Sequence, residues 1–357
     1  MKEKEIVLVT GANGFIGSHV SCELVERGYM VVGVSMGTRS NNPKFNEYVV
    51  GGQIQMFDGD VTKFDYSQVP VPSYIIHIAG KVSAYGKMED FMNINFGGTK
   101  RLVEFAKEVG TKCFIYYSSA AVYGYDGYVD LKEEAEKRPF NNPYSISKLK
   151  TENMVQEFCK ENNLNFAIIR PGNVYGEYDY TSAHEIYTRI KNQKMLICAG
   201  GKYKSCFVYV KNLVNATLTV MENEKAYNTD YNVTDGNNET LKEIFTLIAK
   251  TFGVKPKFTN VPAFLAKAFA TLVEGVYKLF RIKKAPLITK FSVWQNCADY
   301  SFSIEKIKSV GFEKKYSMEE GVERTCNWIN SLEENKWVLK KNLKMKLTIW
   351  NKTATKT

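Results

Sequence analysis

A phenol and an ammonium stand four residues apart in Tyr144-Ser145-Ile146-Ser147-Lys148. On a helix that spacing puts both side chains on one face, one turn apart. A tyrosine of ordinary pKa, near ~10, is a poor base at neutral pH, and a neighbouring ammonium favours its phenolate. Asn141, Asn142 and Pro143 suit a helix start, so Tyr144 falls in the first turn, where the helix dipole also favours an anion. Such a pair can move a proton at a carbon bearing an alcohol or ketone oxygen. Taken alone, a Tyr-x-x-x-Lys match is common and its plainer reading is a surface pair.

A second constellation is Thr10-Gly11-Ala12-Asn13-Gly14-Phe15-Ile16-Gly17. Before it, Ile6–Val9 is an apolar, β-branched run of the kind found in a central parallel strand. After it, Ile16, Val20, Leu24 and Val25 fall near one helical stripe that Gly28 closes. At such a junction Gly11 permits the tight turn, Gly14 lets backbone N–H groups approach a pyrophosphate, and Gly17 lets helix and strand pack closely. The plainer alternative is a glycine turn without a ligand. A nucleotide-hydrolysing loop is disfavoured, because no Gly-Lys-Ser/Thr follows. The second strand is expected over Met30–Val34. The place where a carboxylate usually meets the ribose 2′-hydroxyl is held by Ser35, with Arg39 four residues on. The reading therefore leans to NADP(H) over NAD(H), unless Arg39 is only a solvated loop residue. Asp60 follows the apolar stretch 53–57 and suits either the adenine end of a dinucleotide or a helix N-cap.

Two further stretches set these motifs in order. Cys113–Tyr117 is an apolar strand that delivers Ser118 and Ser119 at its C-terminal end, where parallel sheets build their sites. Ile75-Ile76-His77-Ile78-Ala79-Gly80 ends in small residues that allow close approach. Between them Asn93-Ile94-Asn95-Phe96-Gly97-Gly98-Thr99 is expected to open a helix.

In these motifs, from about residue 5 to about residue 330, the chain resembles the extended short-chain dehydrogenases/reductases, the NAD-dependent epimerase/dehydratase superfamily. The resemblance implies an α/β fold: a Rossmann-type doubly wound parallel sheet with a smaller C-terminal substrate-binding lobe. It places a dinucleotide-binding domain at 1–176, a mostly substrate-binding lobe at 177–330 with segments returning to the sheet, and a basic tail at 331–357. Residue by residue, Tyr144 matches the acid/base, Lys148 its partner, Ser119 the hydroxyl that orients the substrate oxygen, and Asn95 the asparagine beside the cofactor. Arg170-Pro171-Gly172-Asn173-Val174-Tyr175-Gly176 matches the segment lining the nicotinamide and the substrate entrance. The cofactor contacts expected are Gly11, Asn13, Gly14, Phe15, Ile16, Gly17, Ser35, Arg39, Asp60, Val61, Ala79, Gly80, Lys81, Ser118, Tyr144, Lys148, Pro171, Asn173 and Val174, with no metal. A homodimer through the helices starting near Asn95 and Asn142 is likewise implied.

The C-terminal half narrows the branch. Residues 261–280 are apolar at Phe264, Leu265, Ala268, Phe269, Leu272, Val273, Val276, Leu279 and Phe280, which reads as a core helix or a greasy lid. With the order of the segments after it, this resembles the 3β-hydroxysteroid and sterol dehydrogenase branch. The leading expectation is hydride exchange on a hydrophobic alcohol or ketone. A nucleotide-sugar 4-epimerase or 4-ketoreductase is the enzyme alternative, with Arg189, Lys191, Lys202 and Lys204 available to a diphosphate. Dehydration is disfavoured, because Ala120-Ala121 follow Ser119 where an acid pair is usual. A non-catalytic cofactor-binding protein ranks last, since Ser119, Tyr144 and Lys148 are all present.

The 357 residues carry a net charge of +10. From Ser331 onward there are seven lysines and two glutamates, so half of the excess lies in the tail. Residues 336–350 interleave lysine with apolar residues, which fits either an anionic membrane surface or a frayed tail. No nucleic-acid module is recognisable. Seven scattered cysteines without a Cys-x-x-Cys pair, and three histidines read as packing residues, argue against zinc and disulfides. The expected compartment is the cytoplasm, with peripheral membrane contact through 261–280 and 336–350. Because the first strand begins at once, no signal segment is expected, and no apolar run reaches transmembrane length.

Overall fold

The apolar runs of the first half become strands, and the amphipathic runs between them become helices. The computed structural model describes residues 4–333 apart from Asn237, Arg281, Lys283, Lys284 and Leu287, so the segment 336–350 lies outside the described residues. The chain begins β1 (Ile6–Thr10), α1 (Phe15–Glu26), β2 (Met30–Ser35), α2 (Pro43–Val50), β3 (Ile54–Asp58), β4 (Tyr74–His77), α3 (Met88–Phe91), α4 (Gly98–Glu108) and β5 (Cys113–Tyr117). It continues with β6 (Tyr128–Leu131), α5 (Pro143–Glu161), β7 (Phe166–Pro171), β8 (Asn173–Tyr175), α6 (Ala183–Lys191), β9 (Met195–Cys198), β10 (Phe207–Tyr209), α7 (Val210–Met221) and β11 (Thr229–Val233). Then come α8 (Leu241–Thr251), β12 (Phe258–Val261), α9 (Ala263–Leu279), α10 (Lys290–Gln295), β13 (Tyr300–Phe302) and α11 (Glu305–Ser309), and residues 318–333 are helical as well.

Seven strands form one parallel sheet in the order β11-β7-β5-β4-β1-β2-β3. Successive side chains of β1 point to opposite faces. Val7 and Val9 join a core built with α1 and α7, and Leu8 joins one built with α4 and α5. Both faces are therefore covered, as an all-parallel sheet requires. The chain winds outward from β1 through β2 and β3, then returns to the other side of β1 as β4. That reversal opens a crevice at the C-terminal ends of β1 and β4, the place where such sheets bind ligands. This is the Rossmann-type α/β fold.

Three two-stranded parallel pairs, β8–β10, β9–β12 and β6–β13, sit outside the sheet. The last of these ties the C-terminal third back to the segment that follows β5. Two local features differ from the sequence reading. The helix expected to open near Asn93 starts at Met88 and runs through six π-helical residues, Met92–Gly97, before α4. Residues 261–280 do form a helix, α9, but its large apolar side chains are exposed instead of packed inward.

Candidate active site

The glycine turn occupies the crevice. Gly11 sits at φ +70°, donates its N–H to Val34 O at 2.8 Å, and leaves no room for a side chain: a Cβ there would lie 3.0 Å from Ala79 N. A Cβ on Gly17 would lie 2.0 Å from Gly11 O, so only glycine lets α1 start so close to the turn. Gly14 is the N-cap of α1 and gives it no side-chain hydrogen bond. A helix N-terminus carries unsatisfied N–H groups, and this uncapped one faces the crevice as an anion cradle. The residues present thus fit a dinucleotide pyrophosphate. Phe15 and Ile16 are half-buried in the first turn and pack against the core.

At the β2 end, Asn13 Nδ2 donates to Met36 O and Gly37 O, both at 3.0 Å, and its backbone N–H donates to Ser35 Oγ at 3.3 Å. Arg39 is exposed. The sequence reading found no acid here, yet β2 and β3 pair Ser35 with Asp58, and Gly37 N donates to Asp58 Oδ1 at 2.8 Å. A carboxylate from the next strand therefore occupies the neighbourhood that β2 itself leaves without one. Asp60 caps a local turn, accepting from Thr62 N and Thr62 Oγ1 at 2.9 Å each, and these bonds hold its carboxyl below the usual range. Val61 is buried against Gly98 at the start of α4.

Near the end of β4, the π-helical segment presents Asn95. Its Oδ1 accepts from Lys81 N at 2.7 Å, while its Nδ2 donates to Ser147 Oγ at 2.9 Å and Lys81 O at 3.2 Å. π-Helical turns recur at functional sites because they redirect a side chain without ending the helix. A Cβ on Gly80 would lie 3.1 Å from Asn95 Oδ1 and 3.6 Å from Lys148 Nζ, so Gly80, Asn95 and Lys148 meet at one point. His77 lies buried below them, between Thr10 Oγ1 at 2.6 Å and Thr99 Oγ1 at 2.7 Å. Burial, and then the Lys148 charge, push its pKa down to about 3, so it is neutral near pH 7.

α5 begins as its sequence prescribes. Asn142 accepts from Ser145 N at 2.9 Å and Pro143 fills the first turn. Ser119 ends the β5 strand run and caps the short turn Ala120–Tyr123, accepting from Ala121 N at 3.2 Å. The Tyr144 phenol is raised by burial and pulled back by its hydrogen bond with Ser119. Lys148 Nζ donates to Tyr117 O at 2.7 Å and lies 5.0 Å from the Tyr116 ring centre. Burial lowers its pKa to about 8, against the pull of Glu152.

One expected cofactor contact has a different use. Ser118 Oγ turns away and donates to Glu152 Oε2 at 2.7 Å. Glu152, fully buried, also receives Arg170 Nη2 at 2.7 Å and Lys137 Nζ at 2.8 Å. Burial pushes its carboxyl up, but Arg170 and Lys137 outweigh that and hold it below the ordinary range. Glu152 was not singled out in sequence, although it continues the spacing of Tyr144 and Lys148 by one more turn. Of the β7–β8 segment, Pro171 is buried, Val174 pairs with Val208 of β10, and Asn173 Oδ1 accepts from Gln295 Nε2 of α10 at 2.7 Å.

That last bond introduces a helix that sequence reading missed. α10 places Phe291 edge-on to Tyr144, with ring centres 6.3 Å apart. Tyr125 lies 5.2 Å from Phe291, and Phe140 lies 6.0 Å from Trp294. Tyr144 thus packs against a cluster of aromatic rings. Arg189, offered to a diphosphate in the sequence reading, is held by Glu185 at 2.7 Å, and Lys191 by Glu333 at 2.5 Å.

Comparison with known proteins adds to this geometry. The model of the NAD dependent epimerase/dehydratase family matches residues 7–234. The chain is 27% identical over 341 residues to a putative UDP-glucose 4-epimerase of Methanocaldococcus jannaschii, covering 91% of this chain and 99% of that one. It is also 27% identical over 341 residues to the decarboxylating sterol-4-alpha-carboxylate 3-dehydrogenase of Schizosaccharomyces pombe, covering 91% and 97%. Among solved structures, UDP-glucuronic acid 4-epimerase from Bacillus cereus in complex with NAD superposes with a TM-score of 0.73 at 20% identity, covering 92% of this chain and 99% of that one. At that identity the likeness is one of fold.

Proposed function

Since this chain belongs to the NAD-dependent epimerase/dehydratase family, we propose that it is an oxidoreductase interconverting a secondary alcohol and a ketone on a hydrophobic, sterol-like substrate. Bound in the crevice, a nicotinamide dinucleotide supplies the hydride acceptor or donor. The chain's own residues do the rest. Tyr144 Oη takes the hydroxyl proton in oxidation and returns a proton to the alkoxide oxygen in reduction. Ser119 Oγ holds that oxygen. Lys148 holds the ribose and Asn95 keeps Lys81 and Ser147 in place. The observation that carries the substrate class is the aromatic wall of Phe291, Tyr125, Phe140 and Trp294 beside Tyr144. Residues 177–330 supply two of these four rings, Phe291 and Trp294, and act as the substrate-binding lobe.

For the cofactor we infer NAD(H). The Asp58 carboxylate on Gly37 N would repel a 2′-phosphate at the β2 loop. This revises the lean to NADP(H) that rested on Ser35 and Arg39. A second reading, a nucleotide-sugar 4-epimerase or 4-ketoreductase, is favoured by the name of the M. jannaschii relative. Against it, Arg189 and Lys191 are already paired within the chain. The finer expectations that accompany the main reading are a homodimer through α4 and α5, a cytoplasmic address, and contact with a membrane surface through residues 261–280.

The test is oxidation of NADH and NADPH by purified protein with two panels, steroid and long-chain ketones against 4-keto nucleotide sugars. Turnover with the hydrophobic panel and NADH is the expected result. Turnover with nucleotide sugars alone overturns the substrate class and leaves the Ser119–Tyr144–Lys148 chemistry in place.

A further inference from the structure

α9 is built inside out. Its inward face carries Ala263, Ala266, Lys267, Ala270, Val273, Glu274 and Tyr277, small or polar for the most part. Its outward face carries Phe264, Leu265, Phe269, Leu272, Val276 and Leu279, followed by Phe280. Phe264 is 71% exposed, Leu279 77% and Phe280 70%. At 100° per residue the outward set spans an arc of roughly 160°, a continuous apolar face. A helix made for a soluble surface has the opposite arrangement. A patch this size on one helix marks an interaction surface.

The charge around the helix selects what covers it. Between residues 255 and 290 the sequence carries Lys255, Lys257, Lys267, Lys278, Arg281, Lys283, Lys284 and Lys290, against one acid, Glu274. That acid is buried, and its Oε1 accepts from Lys290 N at 2.6 Å. In sequence the apolar face is therefore flanked by cations, of which Lys255, Lys257 and Lys278 are exposed among the described residues, and the one acid of the stretch is buried. A second copy seated on it would set two basic strips against each other. The tail beyond Ser331, with seven lysines and two glutamates, meets the same repulsion. An anionic lipid surface satisfies both halves of the pattern: acyl chains take the Phe and Leu side chains, and headgroup phosphates take the lysines. Among the described residues no helix is long and apolar enough to cross a membrane, so the contact lies along the surface.

We infer that α9 docks the protein on the surface of an anionic bilayer, its Phe264–Phe280 face in the lipid and its lysines on the headgroups. The placement of α9 gives this a use. Tyr277 packs edge-on to Tyr85 at 6.3 Å, and Tyr85 OH donates to Ile282 O at 3.2 Å, on the loop that follows Gly80 and Lys81. The same stretch of chain leads into α10 and Phe291 beside Tyr144. Docking brings the substrate side of the crevice toward the lipid, from which a hydrophobic substrate would enter. That last step rests on the proposed substrate class; the docking itself does not.

The experiment is co-sedimentation of the full-length protein with vesicles of phosphatidylcholine, with and without about one-third phosphatidylglycerol. Its comparison is the triple variant Phe264→Ser, Phe269→Ser, Leu272→Ser, whose side chains are exposed and outside the catalytic machinery. The expected result is binding to the anionic vesicles that weakens as salt rises, with at least about tenfold weaker binding by the variant. Circular dichroism and dinucleotide binding should be the same for both proteins. The inference is overturned by no binding to anionic vesicles, by equal binding of the variant, or by a wild-type oligomer that the variant dissolves while neither protein binds lipid. Vesicle binding without turnover of hydrophobic ketones leaves the docking in place and overturns the substrate class. Turnover without vesicle binding does the reverse.

Discussion

Tyr144 is half-buried, its desolvation pushes the phenol toward the neutral form, and the Ser119 hydroxyl pulls the other way. Its neutral state suits a proton donor to an alkoxide, and abstraction of a proton needs the oxygen held by Ser119. Tyr144→Phe removes the transferable proton and nothing else. Turnover should fall by about 10³-fold, while dinucleotide titrations of the two proteins superimpose; retained turnover would remove Tyr144 from the chemistry. Asp58 answers a different question. Asp58→Ala should lower the preference for NADH over NADPH by about tenfold, read from the ratio of kcat/KM values. An unchanged ratio means that the carboxylate does not face the 2′ position. The spacing of Tyr144 and Lys148 was legible because a helix brings i and i+4 together whatever surrounds it. Asp58 was not, since its place beside Gly37 depends on β2 and β3 lying in register. Glu152 was half legible: its spacing from Lys148 can be read, but its partner Arg170 comes from another strand.

Elements position these groups through a few buried links. His77, on β4, ties β1 to α4 through Thr10 and Thr99. Folded, it resists protonation down to about pH 3; unfolded, it titrates near ~6.5. Between those values the unfolded chain binds more protons, so the link stabilises the fold fully above pH 6.5 and loses that contribution as the pH falls. At pH 4 the loss is about 3 kcal/mol, an order of magnitude from the shift. His77→Gln should be less stable than the wild type at pH 7, with the gap closing toward pH 4. Urea unfolding at both values measures it, and a gap independent of pH would contradict a neutral buried imidazole. Strands and long helices were legible from their periods. The π-helical turn at Met92–Gly97 was not, because one changed hydrogen-bond register leaves the apolar pattern almost intact. The six residues of α10 are too few to show a period at all.

For the whole molecule, the parallel sheet puts α4 and α5 side by side on one face, where a homodimer is proposed. Sedimentation should then give twice the 40.6 kDa chain mass. Met154→Glu, on the half-buried surface of α5, should shift it to monomer, while the α9 triple variant should leave the dimer intact. A wild-type monomer at all concentrations overturns the dimer. The sequence by itself determined the fold class, the glycine turn and the placing of Tyr144 and Lys148 one turn apart on a helix, because those depend on local period and on fixed short spacings. Tertiary structure decided where a carboxylate reaches the β2 loop, which aromatic rings face Tyr144, and which way α9 turns its apolar side. A hydrophobic pattern states that a face must leave water. It does not state whether protein or lipid receives it, and that is settled only by what the rest of the chain packs against the helix.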